Sequence, residues 1–307
     1  MPFVSPPRSR SFGIGPALGL WLLCVSAALA DSGGGKLKIV ASNYPLAYFA
    51  ERLAGNRASV ALPVPADTDP AFWKPDAKAV GEMQKADLIL LNGADYEHWL
   101  ARVSLPKLKL ADTSAGFRDR YIRIEQAVTH SHGPGGMHSH AGIAFTTWLD
   151  FEQAGLQAQA VADALARQRP EWKSGVMDNL ASLREELAAL DAELKTIVGS
   201  KPEPPLLASH PIYQYLARRH GLNLASVHWE PNEMPPAEQW SSLEKSLAGH
   251  PARWMLWEAR PAPEIAAKLK ALGVASLVFE PCANRPESGD FLTVMRANAE
   301  NLQAAFR

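Results

Sequence analysis

The sequence predicts an α/β protein of two lobes, each a mostly parallel sheet flanked by helices, joined by one long backbone helix. Three observations carry that expectation. Short apolar runs alternate with helical stretches through the first half of the chain. A single long stretch then keeps its apolar residues in one stripe, and after it the alternation resumes. Strands separated by helices and short turns call for a parallel sheet covered on both faces.

Taken in order, "KLKIVAS" (36–42) reads as a short apolar strand and "LAYFAERLAG" (46–55) as a helix closed by Gly55. Further strands are expected at "ASVALPV" (58–64), "ADLILLNG" (86–93) and "KLKLADTS" (107–114). After the breaker Pro170, apolar residues fall at Val176, Leu180, Leu183, Leu187, Leu190, Leu194 and Ile197, in alternating steps of four and three. That spacing predicts a helix of about 25 residues with one buried stripe, close to 40 Å long. Gly199 and the "KPEPP" segment end it. Strands then return at "LLASH" (206–210), "LNLASVH" (222–228), "RWMLWE" (253–258) and "ASLVFE" (275–280), with a helix at "PIYQYLARRHG".

The start of the chain points to export. Arg8 and Arg10 precede the apolar run "FGIGPALGLWLLCVSAALA", which ends in the small-residue pattern Ala28-Leu29-Ala30, as a secretory signal peptide does. The expected organisation is a signal peptide at 1–30, an N-terminal lobe at 31–170, a linking helix at 171–199 and a C-terminal lobe at 200–307. Cys24 follows Leu23, where a lipoprotein signal would carry a small residue, so lipid anchoring is the minor alternative. No later segment reaches the roughly 20 apolar residues that span a bilayer. A soluble, periplasmic monomer is expected, without stable membrane insertion. The formal net charge is −1, and cleavage would remove two arginines and no acid. Neither a basic footprint for nucleic acid nor an acidic tail is present. Only Cys282 would remain, so packing rather than an internal disulfide must stabilise the fold.

Four of nine histidines crowd into "HSHGPGGMHSH" (130–140). His130, His132, His138 and His140 are candidates for accessory metal binding, since imidazole is the commonest metal ligand and alternate histidines in an extended segment can reach one ion. The glycines and Pro134 deny this segment a core of its own, so weak binding or a solvated loop are the two readings. Chemistry in parallel sheets gathers at the carboxyl ends of strands. His210 closes one strand and Glu280 another, and a nitrogen and a carboxylate oxygen facing each other across a cleft would suit zinc or manganese. Each also has a plain reading, His210 as a hydrogen bonder at a helix start and Glu280 as a solvated strand end.

Together, "IVASNYPLAYFAERLAG", "VPADTDPAFWKP", "KADLILLNGADYEHWL", "TTWLDFEQA", "SHPIYQYLARRHGL" and "FEPCANRPESGDFLTVMRANAENL" resemble successive segments of the periplasmic metal-binding proteins of zinc and manganese ABC importers, the ZnuA and TroA type of solute-binding protein. The resemblance covers residues 36–307. It implies zinc, manganese or another divalent transition metal as cargo, an ABC importer permease as partner, and no enzymatic activity. It also implies four metal ligands, and here the sequence departs. The first ligand loop reads Asp69-Pro70-Ala71 where the family pattern is Asp-Pro-His, and Thr146 stands at the second position. His210 occupies the third, and Glu280 replaces the usual Asp at the fourth.

Two ligands do not make a tight zinc site, which normally has three or four. Completion could come from His138 and His140, from a Cys282 thiolate, or from Asp69, His228 or Glu230 at the cleft rim. Trp73, Thr146 and His228 are expected to line the cleft with Asp69, and Phe72, Trp148, Trp229 and Trp257 fall beside the same loops. Core packing accounts for most tryptophans, but aromatic walls would also suit a metal chelate or other small ligand. The functional expectation is metal capture and delivery to an importer. A periplasmic metal chaperone or buffer without a permease, and a hydrolase using metal-bound water between His210 and Glu280, are the alternatives. The last ranks lowest, since no nucleophile and base set is in view.

Overall fold

The computed structural model describes residues 1–5, 35–124, 129–131, 137–139, 142–199 and 204–307. The signal-peptide reading and Cys24 lie outside these residues, as do His132, His140 and the side chains of His130 and His138. Residues Lys36–Arg307 form one unit.

The first sheet is built from β1 (Leu37–Ala41), β2 (Ala58–Ala61), β3 (Leu88–Leu91) and β4 (Leu110–Asp112) in the order β2-β1-β3-β4, every pair parallel. Between its strands lie α1 (Tyr44–Ala54) and α2 (Ala77–Lys85). Asn43 caps α1 by accepting from Leu46 N, and Asp76 caps α2 by accepting from Ala79 N. Such caps satisfy one of the amide groups left over at a helix start. β3 is buried at all four positions, as a central parallel strand must be.

Two small antiparallel pairs follow. β5 (Arg123–Ile124) pairs with β8 (Gly142–Ile143), and β6 (Thr129–Ser131) pairs with β7 (Met137–Ser139). The second pair puts His130 opposite His138, a strand pairing at 129–131 and 137–139 that the glycines did not predict. The "TTWLDFEQA" segment is the start of a helix. Asp150 caps α3 (Phe151–Gln168) by accepting from Glu152 N and Gln153 N.

α4 (Lys173–Val198) is the expected long helix, and at ~1.5 Å per residue it runs about 39 Å. Its buried stripe is Val176, Leu180, Leu183, Leu187, Leu190, Leu194 and Val198, a step of four replacing the expected Ile197 at the end. The second sheet comprises β9 (Leu206–Ala208), β10 (Leu224–Ser226), β11 (Trp254–Trp257) and β12 (Ala275–Val278), all parallel, in the order β10-β9-β11-β12. With it go α5 (Gln214–His220), α6 (Ala237–Gly249), α7 (Pro263–Ala271) and α8 (Phe291–Leu302). The stripe of α4 belongs to a core that reaches from Leu37 and Phe49 in the first lobe to Leu206 and Phe291 in the second. The long helix is therefore a shared wall.

Direct hydrogen bonds also join the lobes. The Trp148 indole N–H donates to Pro281 O at 2.7 Å, and Tyr44 N donates to Ala283 O at 2.8 Å. Asn284 Nδ2 reaches Pro65 O at 2.7 Å and Thr68 O at 2.9 Å, and the Thr146 hydroxyl donates to Ile212 O.

Candidate metal centre

Parallel pairing continues past the ends of three neighbouring strands of the second sheet. Ser209 N donates to Leu256 O, Val227 N to Ala208 O and Trp229 N to Ser209 O, at 2.8 to 2.9 Å. The segments leaving β9, β10 and β11 are thus held side by side, and they carry His210, His228 with Glu230, and Glu258. His210 is 2% exposed. Its Nε2 lies 3.2 Å from Glu230 Oε1 and its Nδ1 lies 3.0 Å from Glu258 Oε1. One donor atom from each of the three falls within 4.8 Å of the others. Trp229, between His228 and Glu230, is buried with its ring centre 4.5 Å from that of Trp240 at a tilt of 54° and 6.4 Å from that of Trp257, giving the group an apolar floor. The His228 ring stands perpendicular to His210, with centres 6.4 Å apart.

Burial disfavours a charged imidazole, but hydrogen bonds to Glu230 and Glu258 and the two negative charges win. The His210 pKa is pushed up from 6.5 to about 9. A divalent cation meets the same field, and a nitrogen with carboxylate oxygens is a donor set that zinc and manganese accept. Since one ring nitrogen faces each carboxylate, an ion bound to one nitrogen leaves the other hydrogen-bonded to the opposite carboxylate. Metal-binding histidines are commonly oriented in this way.

The other expected residues fall as follows. Glu280 follows β12, two strands from β9, a backbone separation of about 9.5 Å at ~4.8 Å per strand. It stands outside the three-donor group found among the described residues. Its main chain is tied to α8, Glu280 N donating to Asn298 Oδ1 and Asn298 Nδ2 to Glu280 O. Burial and the charge of Glu287 raise its carboxyl pKa. Glu280 shares a groove of about 1390 Å³ with Asp69, Glu258 and Cys282. Asp69 accepts from Ala71 N there at 2.9 Å. Cys282 is 1% exposed, at φ +57°, and burial with the charges of Glu280 and Asp290 pushes its thiol well above the usual range.

Thr146 and Ala71, at the two departed positions, are both buried. Thr146 lines a smaller cavity of about 340 Å³ with Glu97, His98 and Ile212. Trp73 leans edge-on against Trp99 in a side cluster with Met83 and Val40. Glu258 is the residue the sequence reading passes over, although "RWMLWE" ends in an acid at a strand terminus just as "ASLVFE" does.

Two parallel sheets of one strand order, braced by a long helix and carrying metal-type donors at a strand edge, define a class of protein rather than one member of it. The family model described as zinc-uptake complex component A, periplasmic (ZnuA) matches residues 39–305, and the chain belongs to that family. It is 26% identical over 300 residues to the metal ABC transporter substrate-binding lipoprotein FimA of Streptococcus parasanguinis, covering 93% of this chain and 94% of that protein. It is 26% identical over 294 residues to the zinc-binding lipoprotein AdcA of Streptococcus pneumoniae, covering 92% of this chain but 58% of AdcA. The chain thus spans little more than half the length of the AdcA relatives. Among solved structures, the Zn(II)-bound ZnuA-like domain of S. pneumoniae AdcA superposes with a TM-score of 0.75 at 23% identity, covering 89% of this chain and 99% of that domain. A structure of ZnuA does so at 0.72 and 22%, covering 89% of this chain and all of that one. These likenesses show a shared fold. Among the described residues, no helix is long and apolar enough to cross a membrane.

Proposed function

We propose that this chain is an exported solute-binding protein that captures a divalent transition metal, zinc foremost, and delivers it to the permease of an ABC importer. The observation that carries the reading is the buried imidazole of His210 held between Glu230 and Glu258. Membership of the zinc-uptake family and the export signal read at residues 1–30 support it. The histidines of 130–140 serve as a weaker, faster-exchanging supply, and the outer surfaces of both lobes meet the permease. Glu280, in the groove beside Glu258, is on the route of the ion rather than at its resting place.

The test is calorimetric titration of the exported, untagged, metal-stripped protein with zinc, manganese, copper and cobalt, alongside His210→Ala. One tight equivalent that disappears in the variant is expected. A parent protein with only weak equivalents would remove the capture reading. Tight binding that survives His210→Ala would move the site elsewhere.

A further inference from the structure

We infer that the ion sits on the Nε2 side of His210, ligated by His210, His228 and Glu230, with Glu258 a positioning residue behind Nδ1, so that the whole ligand shell lies in the C-terminal lobe. The inference rests on the capture reading above and assigns the ligands within it.

The first argument is the backbone. Trp229 N donates to Ser209 O at 2.8 Å, which keeps the segment after β10 extended alongside the residue preceding His210. Side chains alternate along an extended segment. Trp229 is buried on the apolar floor with Trp240 and Trp257, so His228 and Glu230 stand together on the other side. Glu230 faces Nε2 of His210 at 3.2 Å. The second argument is ring geometry. With zinc–nitrogen bonds near 2 Å, two imidazoles on one tetrahedral ion have ring centres about 5 Å apart. The observed 6.4 Å exceeds that by roughly 1 Å, a gap that rotation of the half-buried His228 closes. The third is the chemistry of the opposite nitrogen. Nδ1 faces Glu258 at 3.0 Å, and a carboxylate accepting the remaining ring N–H of a metal-bound histidine fixes the tautomer and the ring angle.

Two imidazoles and one carboxylate leave the fourth tetrahedral position open to water, as in sites that exchange their occupant. They also free Ala71 and Thr146 from any ligand duty. Both stand in the first lobe and one is bonded to the second through Ile212 O.

Cobalt(II) is the probe, because its visible bands report ligand number and type. The metal-stripped protein and the variants His228→Ala, His228→Cys, Glu230→Gln, Glu258→Gln and His210→Ala are titrated, with circular dichroism to establish folding. His228→Ala and Glu230→Gln should each weaken cobalt and zinc by about tenfold or more and alter the visible bands. Glu258→Gln keeps an acceptor for Nδ1–H and should lower affinity while preserving the bands. His228→Cys should bind and add a thiolate-to-cobalt charge-transfer band that the parent, with Cys282 alone, lacks. If His228→Ala and Glu230→Gln bind as the parent does while Glu258→Gln changes the bands, the ion is on the Nδ1 side and the assignment is wrong. A His228→Cys protein that binds cobalt without the new band also overturns it. Unchanged tight binding in His210→Ala would move the site elsewhere and overturn the assignment, whereas a parent with only weak equivalents would strike the capture reading itself.

Discussion

At the carboxyl edge of the first sheet, β1, β3 and β4 run into Asn43, Asn92 and Thr113. At the same edge of the second, β9, β10 and β11 run into His210, His228 and Glu258. By strand order β9 answers to β1 and β11 to β3, so His210 and Glu258 stand where the first lobe has Asn43 and Asn92, and yet the two edges do opposite work. In the first lobe Gln157 of α3 donates to Asn92 Oδ1 and Thr113 Oγ1, each at 3.1 Å, and accepts from Thr147 Oγ1. Asn92 receives Asn43 Nδ2 and donates to Phe145 O and Gly93 O. Asn43, Asn92, Thr147 and Gln157 are fully buried. Gly93 turns here at φ +76°, and a Cβ on it would sit 2.2 Å from Asp112 Oδ1. Uncharged groups that satisfy one another in this way specify one packing. In the second lobe an imidazole is wedged between two carboxylates, an arrangement that a cation can enter. Corresponding strand ends therefore carry a neutral hydrogen-bonded network in one lobe and a histidine between two acids in the other, which is why function has to be argued from the site and not the fold.

The widest separation of the two edges should come from Asn92→Ala beside His210→Ala. Removing Asn92 strands buried partners in Gln157, Asn43 and two carbonyls, at a cost of roughly 3 kcal/mol, with zinc affinity nearly unchanged. Removing His210 should weaken zinc by on the order of 100-fold and alter metal-free stability less. Denaturant melts and calorimetry on both variants measure this, and a large loss of zinc affinity in Asn92→Ala would mean that the neutral edge takes part in the site.

Titration separates the edges next. His210 is more basic in the fold than free, about 9 against 6.5. The metal-free protein therefore holds more protons than the unfolded chain in that window, so this contribution is full below pH 6.5 and lost as pH rises through 9. At the first edge burial raises the Glu97 pKa from 4.5 to about 7 against the hydrogen bonds it accepts from Asn92 N and Gly93 N. By the same sign its contribution fades as pH rises from 4.5 through 7. Thermal melts of the metal-free protein should thus fall in two stages, with Glu97→Gln erasing the lower and His210→Gln the upper. A single stage common to both variants would show that the edges are coupled.

Restoring an imidazole to the first lobe tests whether the edge could be converted. Ala71 is 2% exposed and packed in the main core. Ala71→His should overpack it and cost about 1–3 kcal/mol without adding a tight zinc equivalent. A second tight equivalent in calorimetry would show that the family position is still usable.

Both sheets and α4 are legible in the sequence because buried parallel strands are uninterrupted apolar runs and because a helix against a core needs one stripe of Val and Leu. His210 is legible for the same reason, as it closes such a run. Its partners are less so. Strand ends can be read from a sequence, but strand order cannot, and order decides that β11 with Glu258, not β12 with Glu280, borders β9. His228 and Glu230 are visible only as rim residues until the Trp229 N to Ser209 O bond lays their segment beside His210. Ala71 and Thr146 are plain departures in the sequence, whereas the bond from Thr146 to Ile212 O spans 66 residues and no local pattern announces it.

The smallest effect expected is also the one that ties the lobes into the comparison. Trp148 is fully buried in the first lobe, and its indole N–H donates to Pro281 O in the second, the residue after Glu280. Trp148→Phe keeps most of the apolar contact, removes the donor and leaves the half-buried Pro281 carbonyl without it, a loss of about 1 kcal/mol. If the ion needed both lobes to complete its shell, loosening this latch would weaken zinc along with the fold. With the shell inside one lobe, the variant should unfold at lower denaturant and bind zinc within about twofold of the parent. Small-angle scattering should then show the same radius with and without zinc, because α4 and the latches hold the lobes whether or not the ion is bound. A tenfold loss of affinity in Trp148→Phe, or compaction of the parent on adding zinc, would place a ligand in the first lobe after all.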